Sequence, residues 1–242
     1  MIDELYTGIP GVTHGGYIAG LAARGLGDAV AVTLSRPVAP GSAVVLERLE
    51  SETLLRTNDE VAARAVPSPF QSTAPGSVSL EAAETASGQY PGFEHHHFPN
   101  CYCCGPDRPV GAGLRIFPGP VDDRQLVAAV WRPTASLRQP GGTVASEIVW
   151  AALDCPAIWG YVMYGDAGTE DRAVTGQLAI QLHSAIPVEA PSVVVGWPIE
   201  RQGRYLVAGA AIFSETGALL AESRQTLVLT GRGVPMNRAA WT

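Results

Sequence analysis

The chain has 242 residues, 46% of them hydrophobic, enough to bury one large core or two modest ones, and its formal charge is −7. All 16 basic residues are arginine and they are scattered, so no nucleic-acid partner is expected, and without a lysine amine Schiff-base chemistry is excluded. The four cysteines, three in CYCC at 101–104 and the fourth at Cys155, do not form a disulfide framework for a chain this long and fit a reducing cytoplasm.

The start, MIDELYTGIPG, carries no basic leader before an apolar run, and no stretch is long and apolar enough to span a bilayer, so neither secretion nor a membrane span is expected. Next comes GVTHGGYIAGLAARGLG, residues 11–27, a helix without a polar face and therefore a buried one, opened by His14, Gly15 and Gly16. Residues 30–46, VAVTLSRPVAPGSAVVL, read as strand, proline-containing turn and strand, and ERLESETLLRTNDEVAARAV continues in β pattern with polar turns. Residues 67–92 are rich in proline, serine and glycine and read as a linker or surface excursion with one short helix in SLEAAETAS. Beyond HHHFPNCYCC, the segments GLRIFPG and LVAAVWRP, around 113–133, are strands. GGTVASEIVWAALDCPAIWG begins a second apolar helix at Gly141, in which Pro156 disfavours helical geometry at Cys155 and predicts a break or kink. LAIQLHSAIPVEAPSVVV, residues 178–195, and the following GWPIERQGRYLVAGAAIFSETGALLAES are again β-rich.

This order occurs twice. Leu34 falls on Leu182 at an offset of 148, Val44 on Val193 at 149, and the two glycine-led helices start 130 apart. The expected architecture is α+β, one long buried helix wrapped by an antiparallel sheet in each repeat. The boundaries are an N-terminal repeat at 1–68, a linker at 69–98, a C-terminal repeat at 99–231 and a tail at 232–242. Only the second repeat has extra strands before its helix, so the first sheet is expected to lack an edge.

The GxxHGGYxA helix start, the strands carrying RPV and PG, and the turn in RQGRYLVAGAAIFSETGALLAES resemble the hotdog-fold acyl-CoA thioesterase superfamily in its double-hotdog arrangement. HFPNCYCCGPDRPVGAGLRIF is similar to the CxxCGP and GLGL segment that leads into a hotdog domain there. The resemblance covers residues 10–68 and 97–230. It implies a thioester held where two hotdog helices meet, with the start of one helix polarising the carbonyl and a carboxylate on the other activating water. It also implies coenzyme A or an acyl-carrier protein as the carrier of the acyl group, no cofactor beyond that substrate, and a homodimer.

Within that frame Gly15 and Gly16 offer bare backbone N–H groups at a helix N-terminus, where a developing oxyanion is favoured; close packing of the helix start on the sheet would equally require glycine. His14 is read as a substrate contact, a positioning group or a structural cap. Asp154 is read either as a helix-end aspartate or as the general base, because a carboxylate in an apolar run must be paired or functional, and Glu147 is the reserve candidate. The offset of 130 places Val144, Ala145 and Ser146 on His14, Gly15 and Gly16, and Arg24 on Asp154. Each copy thus keeps a different half of the site, and one active site per chain is expected. Thr175 and Gln177 are substrate-side candidates on the strand after the second helix, and Arg201 and Arg204 are candidates for the coenzyme A phosphates.

His95, His96, His97, Cys101, Cys103 and Cys104 suggest a zinc site, yet all of these ligands are local and no second pair is evident, so no metal is expected. HFPN is similar to the HFPG of hotdog dehydratases, but His97 stands far ahead of the second helix. The alternatives to a thioesterase are a non-catalytic acyl-CoA binding or sensor protein and a hotdog hydratase or dehydratase.

Overall fold

The computed structural model describes residues 1–166 and 171–232. The tail expected at 232–242 lies, after Arg232, outside them. A small hairpin, β1 (Thr7–Ile9) and β2 (Val12–Thr13), leads directly into α1 (Gly15–Ala23). Strands β3 (Ala29–Leu34), β4 (Val45–Arg48), β5 (Thr53–Thr57) and β6 (Glu60–Pro67) follow, then α2 (Leu80–Gly88). The second half has β7 (Gly119–Val121), β8 (Leu126–Trp131), α3 (Ser146–Tyr164), β9 (Asp171–Leu182), β10 (Ser192–Gln202), β11 (Tyr205–Ser214) and β12 (Leu219–Arg232).

Ten strands make one antiparallel sheet in the order β4-β5-β6-β3-β9-β12-β11-β10-β8-β7. The four strands after α1 lie as first, fourth, third, second, and so do the four after α3. The two sets meet at β3 and β9, where Ala31 faces Ala179 and Val30 and Val32 face Ile180 and Leu178. Residues 31 and 179 are separated by 148, the sequence offset of the repeat, so equivalent residues meet as they would across a two-fold axis. Beyond β10 the sheet continues through β8 and β7, whereas among the described residues β4 is its last strand on the other side.

α1 and α3 lie against one face of the sheet and against each other, and that layer holds the main core. β8 shows how the sequence supports two layers: Val127, Ala129 and Trp131 join the core under α3, while Leu126 and Ala128 point the other way, toward α2. The segment expected as a linker therefore contributes packing as well. Ser79 caps α2 by accepting from the Ala82 N–H, and Ala83 and Ala86 bury the helix against Ala128, Val193 and Val195.

Two local expectations are corrected. α1 is shorter than the 11–27 pattern because its chain leaves the helix at Arg24 and turns through Gly25 and Gly27 at positive φ. α3 does not break at Pro156 but runs unbroken from Ser146 to Tyr164. Its contact with β10 is backbone on backbone: a Cβ at Gly196 would lie 1.9 Å from the Pro156 carbonyl oxygen, and one at Gly160 would lie 2.5 Å from the Gly196 carbonyl carbon. That packing outweighs the local preference of the residue before proline.

Candidate active site

α1 begins where β2 ends, so the chain reverses at Thr13 and His14 and delivers the helix N-terminus into the core. His14 occupies the N-cap position without a capping side-chain bond, because its ring is turned inward. It is 3% exposed, its Nδ1 lies 3.6 Å from Asp154 Oδ2 and its Nε2 lies 3.4 Å from Cys155 Sγ. Burial opposes its charge, but the Cys101 sulfur and the Asp154 carboxylate outweigh that and raise its pKa to about 9.

Asp154, also 3% exposed, projects from the middle of α3 at the point where α1 crosses it. Oδ2 accepts the Gly16 backbone N–H at 2.8 Å, and Oδ1 accepts the Thr175 hydroxyl at 2.7 Å. Both oxygens of a carboxylate in a nearly dry site are thus held by donors, one at the positive end of a helix. The Gly16 N–H, which the sequence left free for a thioester oxygen, is engaged by the aspartate. Gly16 also owes its lack of a side chain to α3 rather than to the sheet: a Cβ there would stand 2.7 Å from the Trp150 carbonyl oxygen and 2.9 Å from Asp154 Cβ. Gly20, one turn on, is bare for the same reason, its Cβ position falling 2.4 Å from Glu147 Cα.

Beside this junction is a cavity of about 390 Å³ whose wall includes His14, Gly15, Asp154 and Thr175. Most of the remaining wall is apolar, with Ile9, Val12, Ile18, Leu34, Phe98 and Ile158 among its residues, and among the described residues Arg36 is its single arginine. The structure therefore brings together His14, Gly15, Gly16, Asp154 and Thr175. Gln177 is elsewhere, its amide donating to Thr33 across the β3–β9 seam, and it is not on the cavity wall. Arg201 and Arg204 sit at the β10–β11 turn, also away from the cavity wall; Arg201 pairs with Asp166 and Arg204 stacks on Tyr205.

The place related to Asp154 by the repeat is filled differently. There Arg24 forms an ion pair with Glu147, its Nε lying 3.3 Å from Oε2 and its Nη2 on Oε1. Glu147, the reserve base, is buried in that pair and is not part of the cavity. Gln225 on β12 had no signal in the sequence. It is fully buried and its amide donates to the carbonyl oxygens of Leu153 at 2.7 Å and Asp154 at 3.2 Å, fixing the helix backbone behind the carboxylate.

No protein-family model matches the chain, and no curated protein matches it at the sequence level. Solved structures do match its fold. A candidate thioesterase from Novosphingobium aromaticivorans, 10% identical, aligns over 95% of this chain and 94% of its own with a TM-score of 0.60. A candidate thioesterase II from Thermobifida fusca is 16% identical over 95% and 92%, with a TM-score of 0.57. The tesB protein of Mycobacterium avium subsp. paratuberculosis is 15% identical over 92% and 89%, with a TM-score of 0.56. Over nearly its whole length, the chain has the hotdog fold of these three proteins.

Proposed function

We propose that the chain is a double hotdog, with repeats at 1–68 and 99–231, that hydrolyses an acyl thioester at one composite site. The observation that carries this reading is the Asp154 carboxylate, held by the Gly16 N–H and the Thr175 hydroxyl in the wall of an apolar cavity. In the proposed reaction Asp154 takes a proton from water as the water oxygen bonds to the thioester carbonyl carbon. The carbonyl oxygen gains negative charge and is met at the start of α1. With the Gly16 N–H engaged by Asp154, Gly15 is the glycine left to donate, and a donor of this kind is typically worth about 3 kcal/mol of barrier. Collapse breaks the carbon–sulfur bond, and the leaving sulfur takes the proton from Asp154. His14 lies against the carboxylate and positions it.

The Arg24–Glu147 pair occupies the second pseudo-site, which supports one active site per chain. An engineered cavity of about 150 Å³ accepts a benzene ring, so the 390 Å³ here accommodates an acyl group of roughly a dozen heavy atoms. Coenzyme A or a carrier protein is the proposed acyl carrier, and Arg36, on the cavity wall and in an exposed ion pair with Glu60 at 3.0 Å, is nearer the cavity for its phosphates than Arg201 or Arg204. A homodimer, giving four hotdog units, is the proposed assembly.

The test is release of free thiol across a panel of acyl-CoA substrates by the wild type and by Asp154→Asn. Asparagine preserves the shape and can still accept from Gly16, so the variant should stay folded and lose activity by about 10²- to 10⁴-fold. Wild-type turnover in Asp154→Asn would refute the assignment. Binding of acyl-CoA by the wild type with no thiol released would identify a sensor instead.

A further inference from the structure

CYCC lies far from His14 and Cys155 in the sequence, but the fold brings them together as two adjoining trios that share Cys155. Cys101, Cys103 and Cys104 sit in a tight turn clamped by Cys101 N–H to Phe98 O at 2.8 Å, Gly105 N–H to Cys101 O at 2.9 Å and Tyr102 N–H to Thr7 O at 2.8 Å. Cys155 reaches this turn from α3 and His14 from the start of α1. All four cysteines are free thiols and all are buried, between 0% and 6% exposed. The sulfurs of Cys101, Cys104 and Cys155 lie within 4.8 Å of one another, and so do the donor atoms of His14, Cys103 and Cys155. Cys155 belongs to both trios. The second ligand pair whose absence from the local sequence argued against a metal is supplied by tertiary structure.

We propose that this cluster is a binding site for one thiophilic divalent ion, zinc by ligand type, held by Cys101, Cys104 and Cys155 with Cys103 or His14 as the fourth donor. Tetrahedral bonds of about 2.3 Å to sulfur and 2.0–2.1 Å to nitrogen set ligand-to-ligand edges near 3.8 Å for two sulfurs and 3.6 Å for sulfur and nitrogen. The Cys101 and Cys155 sulfurs are 3.6 Å apart, and His14 Nε2 is 3.4 Å from Cys155 Sγ. These edges fit a shared ion, and 3.6 Å is well beyond a disulfide bond. His14 Nδ1, buried and without a hydrogen bond, faces Asp154 Oδ2 at 3.6 Å, the orientation in which a metal-bound imidazole presents its other N–H to a carboxylate. His96 Nε2, 3.3 Å from Cys104 Sγ, supports that sulfur from outside the set. Binding replaces the proton of each coordinating thiol with the ion, so protons are released as metal is taken up. The ion would tie the 101–104 turn to both helices directly behind the cavity, a structural role that does not depend on the proposed hydrolysis.

Untagged full-length protein from zinc-supplemented medium is analysed for bound metal by plasma mass spectrometry, and the metal-stripped protein is titrated with Co²⁺. One equivalent of zinc per chain, and Co²⁺ uptake with the visible absorption of a tetrahedral thiolate site, are expected. Cys155→Ser and Cys104→Ser should each lose the bound equivalent, while Cys103→Ser compared with His14→Gln identifies the fourth donor. Stripping the wild type with a chelator should lower its Tm, which keeps the test open if a cysteine variant does not fold. Wild-type protein that holds no metal and takes up no Co²⁺ would overturn the proposal, as would a Cys101–Cys155 disulfide in the purified protein or full metal content in Cys155→Ser.

Discussion

Gly16 donates its backbone N–H to Asp154 Oδ2 at 2.8 Å, joining the start of α1 to the middle of α3. The glycine is thus both a hydrogen-bond donor and a spacer, since the two helices could not approach so closely around a larger residue. Gly16→Ala should cost about 1–3 kcal/mol through overpacking, seen as a lower Tm, and should reduce thiol release by displacing the carboxylate. An alanine variant with unchanged Tm and rate would show that the contact carries neither role.

Thr175 orients the other carboxylate oxygen. Thr175→Val keeps the shape and removes the donor to Oδ1, a loss of about 1.5–3 kcal/mol for a hydrogen bond to a charged group. The expected result is a lower kcat at nearly constant KM. A change confined to KM would instead make Thr175 a substrate contact.

At the opposite pseudo-site, Arg24→Ala leaves Glu147 buried without its partner. Because the arginine is 47% exposed, the expected destabilisation is about 1–2 kcal/mol, below that of a fully buried pair. Thiol release per folded chain should not change. A large loss of turnover at unaltered Tm would mean that the second site takes part in the reaction.

The space proposed for the acyl group can be reduced. Ile158 stands on the apolar wall, one helical turn beyond Asp154. Ile158→Phe should move the best substrate in the acyl-CoA panel to a shorter chain, with kcat for that substrate near wild type. Unchanged chain-length preference would place the acyl group elsewhere.

Arg36 tests the proposed phosphate contact. Arg36→Ala should raise KM for acyl-CoA about tenfold, the effect of losing about 1.4 kcal/mol of binding, with little change in kcat. The same KM for acyl-CoA in variant and wild type would remove Arg36 from the phosphate subsite.

The sequence exposed what is periodic or repeated. Leu34 and Leu182 marked the repeat that meets at the β3–β9 seam, and the short helix read in SLEAAETAS is α2. Contacts made by tertiary closure were not legible. Gln225 lies on the last strand, and nothing beside it in the sequence points to the backbone carbonyls it bonds. Arg201 and Arg204 had the right charge for phosphate, but a hairpin turn carried them away from the cavity. The approach of Cys155 to Cys101 depends on α3 remaining helical through Pro156, where the local pattern predicted a break or kink.

The Ala31–Ala179 register has a consequence for how such a site can change. In an assembly of two identical chains, every substitution is imposed on both copies, so an arginine opposite one aspartate would abolish the aspartate on both sides. Joining the copies in one chain removes that constraint. Arg24 and Asp154 can then coexist on related helices, with an ion pair at one junction and, in the proposed reaction, the water-activating carboxylate at the other.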